Sequence, residues 1–574
     1  MKKTIIGAAA LSLLLATTPV MAQDNMTHLE QNFRNISDKQ PLAVYWYWIG
    51  GNMSKEGVVK DLQAMKKVGI NRVQIGMIGN DQGIPQGPVR MFTQEWWDIL
   101  HTMFKTAGQL DIEVGLFNCP GWSQSGGPWV KTSQAMRYLG YVKDTISGPL
   151  KLAKKLPAVG KDAQEVKVLA YPLIADKANF VTNEDITKAT TINFSSDKPA
   201  KVRSLVITPM EKKFNTEAEL FVNEGGQYRS IEKFRMDRSN SEVNVGFDAF
   251  APIVISLPET EGKQFRLTVK EAGIIKDVKL SDVAVVERYP EKTFAKMFQT
   301  PLPMWDAYMW RDQPGYQQAE YVKESQVTDI TSHMSADGTL KWDVPKGKWV
   351  IMRTAMLPTG SMDGPAPPEG QGLETDKMSK EHIRAHFDNY IGQILKRIPA
   401  EDRKTFRIVV EDSYETGGQN WTDHMIDDFK KAYGYDPVPY IPVYSGVVVG
   451  NQDISNRFLW DMRRLVADEV AYNYVGGLRE ISNQHGLTTW LENYGHWGFP
   501  GEFLLYGSQS DEIAGEFWSF GDLGNIENRC ASSCGHIYGK KKVWAESFTC
   551  GGPDFTQYPG QMKQRGDRFF TEGI

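Results

Sequence analysis

The chain has 574 residues, more than one ordinary domain holds and enough for a barrel with inserted modules. Its net charge of -5 and isoelectric point near 6.1 offer no basic footprint for a phosphate backbone and argue against a nucleic-acid partner. Past the first apolar run, no stretch approaches the roughly 20 apolar residues that a membrane span needs.

The chain opens MKKTIIGAAALSLLLATTPVMAQDN. Two lysines, a short apolar run and small residues up to Ala22 predict a secretory signal peptide over 1–22, and hence a periplasmic or secreted protein. LAVYWYWI (42–49) then reads as a buried strand. A helical pattern over 55–67 follows, then a strand at 72–77, a helix around 93–109 and a strand at 112–117. Strands alternating with amphipathic helices at this spacing predict an α/β fold with a parallel sheet, its first part over 23–139. The texture then changes to short alternating segments such as KVRSLVITPM and FRLTVKEA. These predict a β-sandwich-like insertion which, with the Pro/Gly-rich loop TGSMDGPAPPEGQG, fills 140–375; a loop that long is expected to serve the site. The βα pattern resumes over 376–574, with a helix at 380–396, the strand FRIVVE (406–411), helices over 421–433 and 454–484, and the strands LTTWLEN (487–493) and VWAES (543–547). Six strands are clear and a seventh is expected, so a closed (β/α)8 barrel would lack its last part in this chain.

Acids cluster at the C-terminal ends of these strands: Glu411, Asp412 and Glu415 in VVEDSYETGGQNWT, Glu492 in WLENYGHWG and Glu546 in WAESFT. In a barrel such ends share one mouth, the usual place of catalytic residues in this fold. Hydrolysis of a glycosidic bond needs one carboxyl that donates a proton and a second that activates water or attacks carbon. SDEIAGEFW adds Asp511, Glu512 and Glu516. So many carboxylates repel one another unless protonated, paired or neutralised, and calcium is the cation suited to oxygen-rich exported sites. Asn118, Glu492, Asp511 and Glu512 are the candidate ligands, with a solvated acidic rim as the competing explanation. Trp48, Trp122, Trp421 and Trp497 are candidates for stacking on sugar, and Asp412 and His496 for holding its hydroxyls; core packing is the alternative for the rings. The Gly-rich FNCPGWSQSGGPWV lacks a phosphate-loop ending and a nucleophile-elbow pattern, so its glycines predict close approach of backbone to a ligand. Cys530 and Cys534, four apart with His536 nearby, read as one face of a packed helix rather than half a zinc site.

Together, FNCPGWSQSGGPWV, DSYETGGQNWT, ENYGHWGFPGEF and AESFT resemble glycoside hydrolase family 106 from about Tyr45 onward. The resemblance implies a (β/α)8 barrel with β-sandwich additions and α-L-rhamnosidase activity on rhamnose-containing oligosaccharides or polysaccharides. It further implies inversion at the anomeric carbon and a calcium ion that helps hold the rhamnose hydroxyls. Carried onto matching positions, Glu415 resembles the general acid and Glu546 the base. Family members usually continue well past residue 574. A glycosidase for another neutral sugar and a non-catalytic, calcium-dependent glycan-binding protein are the alternatives; a binder would need neither Glu415 nor Glu546.

Overall fold

The fold is that of a computed structural model, which describes residues 27–32, 34, 42–79, 83–239, 247–293, 311–316, 319–493, 495, 499–521, 524–551 and 556–574. The expected leader and the candidates His496 and Trp497 lie outside the described residues.

Three parallel strands come first: β1 (Ala43–Ile49), β2 (Arg72–Ile78) and β3 (Glu113–Phe117), joined by helices α1 (Lys55–Lys67) and α2 (Gln94–Leu110). Local signals set the helix ends. Ser54 accepts a bond from the Gly57 amide and Thr93 one from the Trp96 amide, satisfying N–H groups that lack partners in a first turn, while Asp111 closes α2 in a left-handed conformation.

The chain then leaves the parallel sheet. β4 (Arg137–Lys155), β5 (Gln164–Pro172), β6 (Thr191–Pro209), β7 (Asn215–Glu224), β8 (Gln227–Asp237), β9 (Ile253–Val269), β10 (Ile275–Ser281) and β11 (Thr339–Pro358) are antiparallel. They form a five-stranded sheet in the order β10-β6-β9-β7-β8 and a four-stranded sheet in which β11 lies between β5 and β4. Each sheet has its own apolar core.

The parallel sheet resumes with β12 (Phe406–Glu411), β13 (Thr488–Glu492), β14 (Glu512–Trp518) and β15 (Val543–Thr549). Its order, β1-β2-β3-β12-β13-β14-β15, gives seven strands curled as part of a barrel, with β1 and β15 as edges among the described residues. β14 supplies the strand expected but not located from the sequence. No described helix is long and apolar enough to cross a membrane.

Side chains alternate across the parallel strands, and the two faces bury different things. Val73, Ile75, Val114, Leu116, Val409 and Leu491 face the helices and join the main core. Phe117, Ile408, Val410, Trp490 and Ala514 face the concave interior, with Tyr45, Tyr47, Trp122 and Trp544 packed on them. Parity therefore decides which residue at a strand end can reach the mouth.

At the opposite end of the strands, Arg72 is buried and reaches Glu113 at 3.2 Å and Glu512 at 2.6 Å. Its guanidinium also lies 4.5 Å from the centroid of the Trp544 ring. One side chain thus ties β2, β3, β14 and β15 across the base of the sheet. Removing one partner of such a cluster leaves buried charge uncompensated. Because Glu113 and Glu512 keep some contact with water, Arg72→Leu is expected to destabilise the protein by about 2 kcal/mol, read as a lower urea midpoint at unchanged slope. A midpoint equal to wild type would mean that this tie contributes nothing to holding the sheet.

Candidate active site

At the C-terminal ends of β12 to β15 the concave face changes from apolar to acidic. Asp412 follows Ile408 and Val410, Glu492 follows Trp490, Glu516 follows Ala514, and Glu546 follows Trp544, each two residues on and so on the same face. Glu516 and Glu546 stand directly opposite each other in the β14–β15 register. Oxygens of Asp412, Glu492 and Glu546 all lie within 4.8 Å of one another. Glu492 has no exposed surface, and its carboxyl faces that of Asp412, with which it can share a proton in a hydrogen bond.

The neighbours that bond these acids are neutral donors. Tyr45 Oη donates to Asp412 Oδ1 at 3.3 Å and the Ser413 amide donates at 3.1 Å. Thr549 Oγ1 donates to Glu546 Oε1, and Trp518 Nε1 to Glu516 Oε1. Burial, followed by the charges of Asp412, Glu516 and Glu546, pushes the Glu492 carboxyl well above its ordinary pKa. Burial pushes Asp412 up to about 6. Glu546 is partly exposed, yet desolvation of its carboxyl, with the charges of Glu516 and Asp412 beside it, raises it well above the usual range.

Glu415 lies on the loop after β12, at the same mouth. Trp122 Nε1 donates to its Oε2 at 3.2 Å and Ser413 Oγ to its Oε1 at 3.1 Å. Its charge also acts on Asp412 and Glu546. Trp122 is stacked on Tyr47, with centroids 5.7 Å apart. Gln124 Nε2 donates to the Ser413 carbonyl at 2.7 Å, fastening the Gly-rich loop to the loop that carries Glu415.

The sequence from 35 to 574 matches the model of glycoside hydrolase family 106, described as alpha-L-rhamnosidase. The chain belongs to this family. It is 28% identical over 571 residues to a protein from Formosa agariphila named a beta-glucuronidase, an alignment covering 98% of this chain and 39% of that one. Its fold resembles a rhamnosidase from Novosphingobium sp. PP1Y, with a TM-score of 0.80 and 27% identity, over 95% of this chain and 55% of that structure. The chain thus spans about half the length of these relatives or less. Family and structural likeness place it within glycoside hydrolase family 106 on an α/β barrel-like scaffold.

Within this family 106 scaffold, Glu415, Glu546, Asp412, Glu492 and Trp122 come together at the mouth. Other candidates do not. Asp511 and Glu512 begin β14 rather than end a strand: Asp511 is held by Arg479 Nε at 2.7 Å and the Thr489 amide at 3.0 Å, and Glu512 by Arg72. Both are committed to arginines, and neither belongs to the group of carboxylates that converges with Glu492. Asn118 spends its amide on the Val410 carbonyl, at 3.1 Å, and on Ser125 Oγ. Trp48 has the outward parity of β1 and sits in the helix-facing core; Trp421 is buried edge-on to Tyr444 in that core. Glu411 is likewise outward, wholly buried close to the helix-borne Tyr474 and Tyr506.

Within the Gly-rich loop, Gly121 lies against other backbone, Gly126 against Asp363 and Leu373, and Gly127 against the Trp129 ring. A Cβ on Gly121, where φ is +79°, would stand 2.7 Å from the Gly364 carbonyl, and that oxygen accepts from the amides of Trp122 and Ser123. Cys530 and Cys534 share the helix Glu527–Tyr538, and all four cysteines are free. Glu516 joins the site although the acids of SDEIAGEFW do not by themselves show which of them reaches the mouth. Its signal is the spacing Ala514-x-Glu516 on a strand whose opening residues are acidic.

Because Asp412, Glu492 and Glu546 are all raised, the native protein holds protons that the unfolded chain has already released above about pH 4.5. In chelator-treated protein, stability is therefore expected to be greatest below the unfolded pKa values and to fall as pH rises through about 6, the folded value of Asp412. Glu492→Gln removes one buried charge and should raise the melting temperature at pH 7 while leaving that at pH 4.5 nearly unchanged. Equal melting temperatures at pH 7 would contradict repulsion among these carboxylates.

Proposed function

We propose that the chain hydrolyses terminal α-L-rhamnosides of oligosaccharides or polysaccharides with inversion at the anomeric carbon. The observation that supports this best is that the glutamates of DSYE and AESFT open onto one acid-lined mouth, where the charge of Glu415 acts on Glu546. On this reading Glu415 donates its proton to the leaving glycosidic oxygen as the bond from the anomeric carbon to that oxygen breaks. Glu546 takes a proton from the water whose oxygen attacks the same carbon from the other face. Exchange with solvent returns both carboxyls to their starting states. Trp122 and Ser413 position Glu415, while Tyr47, stacked on Trp122, and Tyr45 wall the pocket.

Asp412 and Glu492, with Glu546 closing the group, would hold the calcium ion expected of the family. Three converging carboxylates, one of them wholly buried, fit an oxygen-seeking cation. Such an ion supplies positive charge against the acid cluster and coordination for sugar hydroxyls. The first 22 residues are read as a secretory leader that delivers the protein to the periplasm or beyond, and the antiparallel insertion as β-sandwich-like.

Release of aryl alcohol from an aryl α-L-rhamnoside tests the activity, and proton NMR of the first-formed anomer tests inversion. Glu415→Gln and Glu546→Gln are each expected to lower kcat by about 10²- to 10⁴-fold with the fold retained, and chelation to lower the rate of wild type reversibly. The name of the Formosa agariphila relative makes an aryl β-D-glucuronide the informative control. Turnover of that substrate alone, or unchanged rates in both variants, would end the proposal.

A further inference from the structure

Away from the mouth, the five-stranded antiparallel sheet turns one face to its own core and the other to solvent. Phe194 on β6, Phe265 on β9 and Val222 on β7 are buried in that core. Alternation therefore puts Asn193, Ser195, Gln264 and Arg266 on the outer face. There Asn193 pairs with Arg266 and Ser195 with Gln264 across β6 and β9, while Asn223 pairs with Tyr228 across β7 and β8. Asn193, Ser195, Tyr228, Gln264 and Arg266, with Asn183 and Glu184 from the preceding loop, line a pocket of about 270 Å³.

The polar groups in it are ordered by one another. Glu184 accepts from Thr182 Oγ1 and, at 2.7 Å, from Asn193 Nδ2. The Asn193 Oδ1 so oriented accepts from Arg266 Nε at 2.9 Å, and the Arg266 guanidinium lies flat on the Tyr228 ring, 3.7 Å from its centroid. The guanidinium plane is thereby fixed by a hydrogen bond on one edge and a ring on one face. Its two terminal nitrogens have no partner among the described residues. Gln264 is committed in the same way, since its Oε1 accepts from Asn223 Nδ2 at 2.8 Å and its Nε2 is left to donate. Arg266 and Gln264 thus offer a planar two-pronged donor with an amide donor one rung away, beside the hydroxyls of Ser195 and Tyr228. The fork of an arginine matches the two oxygens of a carboxylate.

We propose that this face of the insertion binds the carboxylate of an acidic sugar in a glycan chain, with Arg266 as the principal contact and Gln264 beside it. The carboxylate chemistry stands on the pocket alone; its assignment to a glycan rests on the reading of the protein as a glycoside hydrolase. Bound there, the glycan would be retained on the enzyme without occupying the catalytic mouth.

Isothermal titration of the chain with an oligogalacturonate, with maltohexaose as neutral control and poly-L-glutamate as a peptide carboxylate, tests this. The oligogalacturonate should bind, maltohexaose should not, and poly-L-glutamate should bind more weakly. Arg266→Lys keeps the charge but loses the fork and should weaken oligogalacturonate binding by about tenfold. Gln264→Ala should weaken it by a smaller factor, and it decides the matter if the first variant does not fold. Hydrolysis of an aryl α-L-rhamnoside should be unaffected by either. No binding by wild type, affinity unchanged in the folded variants, or stronger binding of maltohexaose overturns the proposal. Poly-L-glutamate binding as tightly as the oligogalacturonate overturns it in favour of an acidic peptide. Arg266-dependent binding by a chain that releases no aryl alcohol would leave this site standing and remove the catalytic reading instead.

Discussion

Carboxylates crowded onto one buried face dominate this molecule. Asp412, Glu492, Glu516 and Glu546 end four consecutive parallel strands on the same face. Beneath them lies a buried apolar layer of Ile408, Val410, Trp490 and Ala514. A low-dielectric floor strengthens repulsion between like charges and raises the cost of each one. A fold assembled for stability alone would set arginines or lysines among these acids. The nearby cations are instead spent elsewhere: Lys377 bonds Glu374 in a wholly buried pair, and Arg137 holds Asp376 and Asp423. Neutral donors from Tyr45, Thr549 and Trp518 steady the acids without cancelling their charge.

Those two buried ion pairs explain how the loops around the mouth hold their places. Glu374 accepts from Ser123 Oγ at 2.7 Å and from the Ser125 amide at 3.0 Å, which pins both ends of the segment carrying Gln124. Asp376 accepts from Gln419 and Thr422, both at 2.7 Å, beyond the loop that carries Glu415. Buried pairs contribute little net stability compared with apolar packing, but breaking one is costly because the remaining partner is stranded. Their effect is positional. The Gly-rich loop and the DSYETGG loop are both fastened to the short stretch 374–377, so Trp122 meets Glu415 within hydrogen-bond distance.

Much of this is legible in the sequence, and the failures share a cause. Apolar runs locate six parallel strands, and the acids that follow FRIVV, TTWL and VWA mark the mouth. Parallel strands covered on both faces carry no clear alternation, so the sequence alone does not tell which residues of YWYWI face inward. Trp48 stands close to a strand end, and parity sends it to the helices. Asp511 and Glu512 resemble a strand-end pair because β14 opens with acids, and only the Arg72 and Arg479 contacts identify that end as the base. Trp421 stands close in sequence to Glu415, but the chain turns between them and the ring enters the main core. The glycines of FNCPGWSQSGG suggest a ligand at close range, whereas Gly121 and Gly126 lie against a loop more than 200 residues downstream, which no local pattern encodes.

The acid and base roles proposed for Glu415 and Glu546 impose a further condition on the charges around them. A base must be ionised when water is to be deprotonated, yet desolvation, Glu516 and Asp412 all favour the protonated form of Glu546. Left to the protein alone, the residue proposed to accept the proton is pushed toward its protonated form. Positive charge held by Asp412 and Glu492 would act against each raised carboxyl and restore Glu546 to the ionised form. On the proposed reading the acidic cluster and the assignment of the base are therefore one problem: burial and crowding push Glu546 toward its protonated form, and a cation held by Asp412 and Glu492 would push it back.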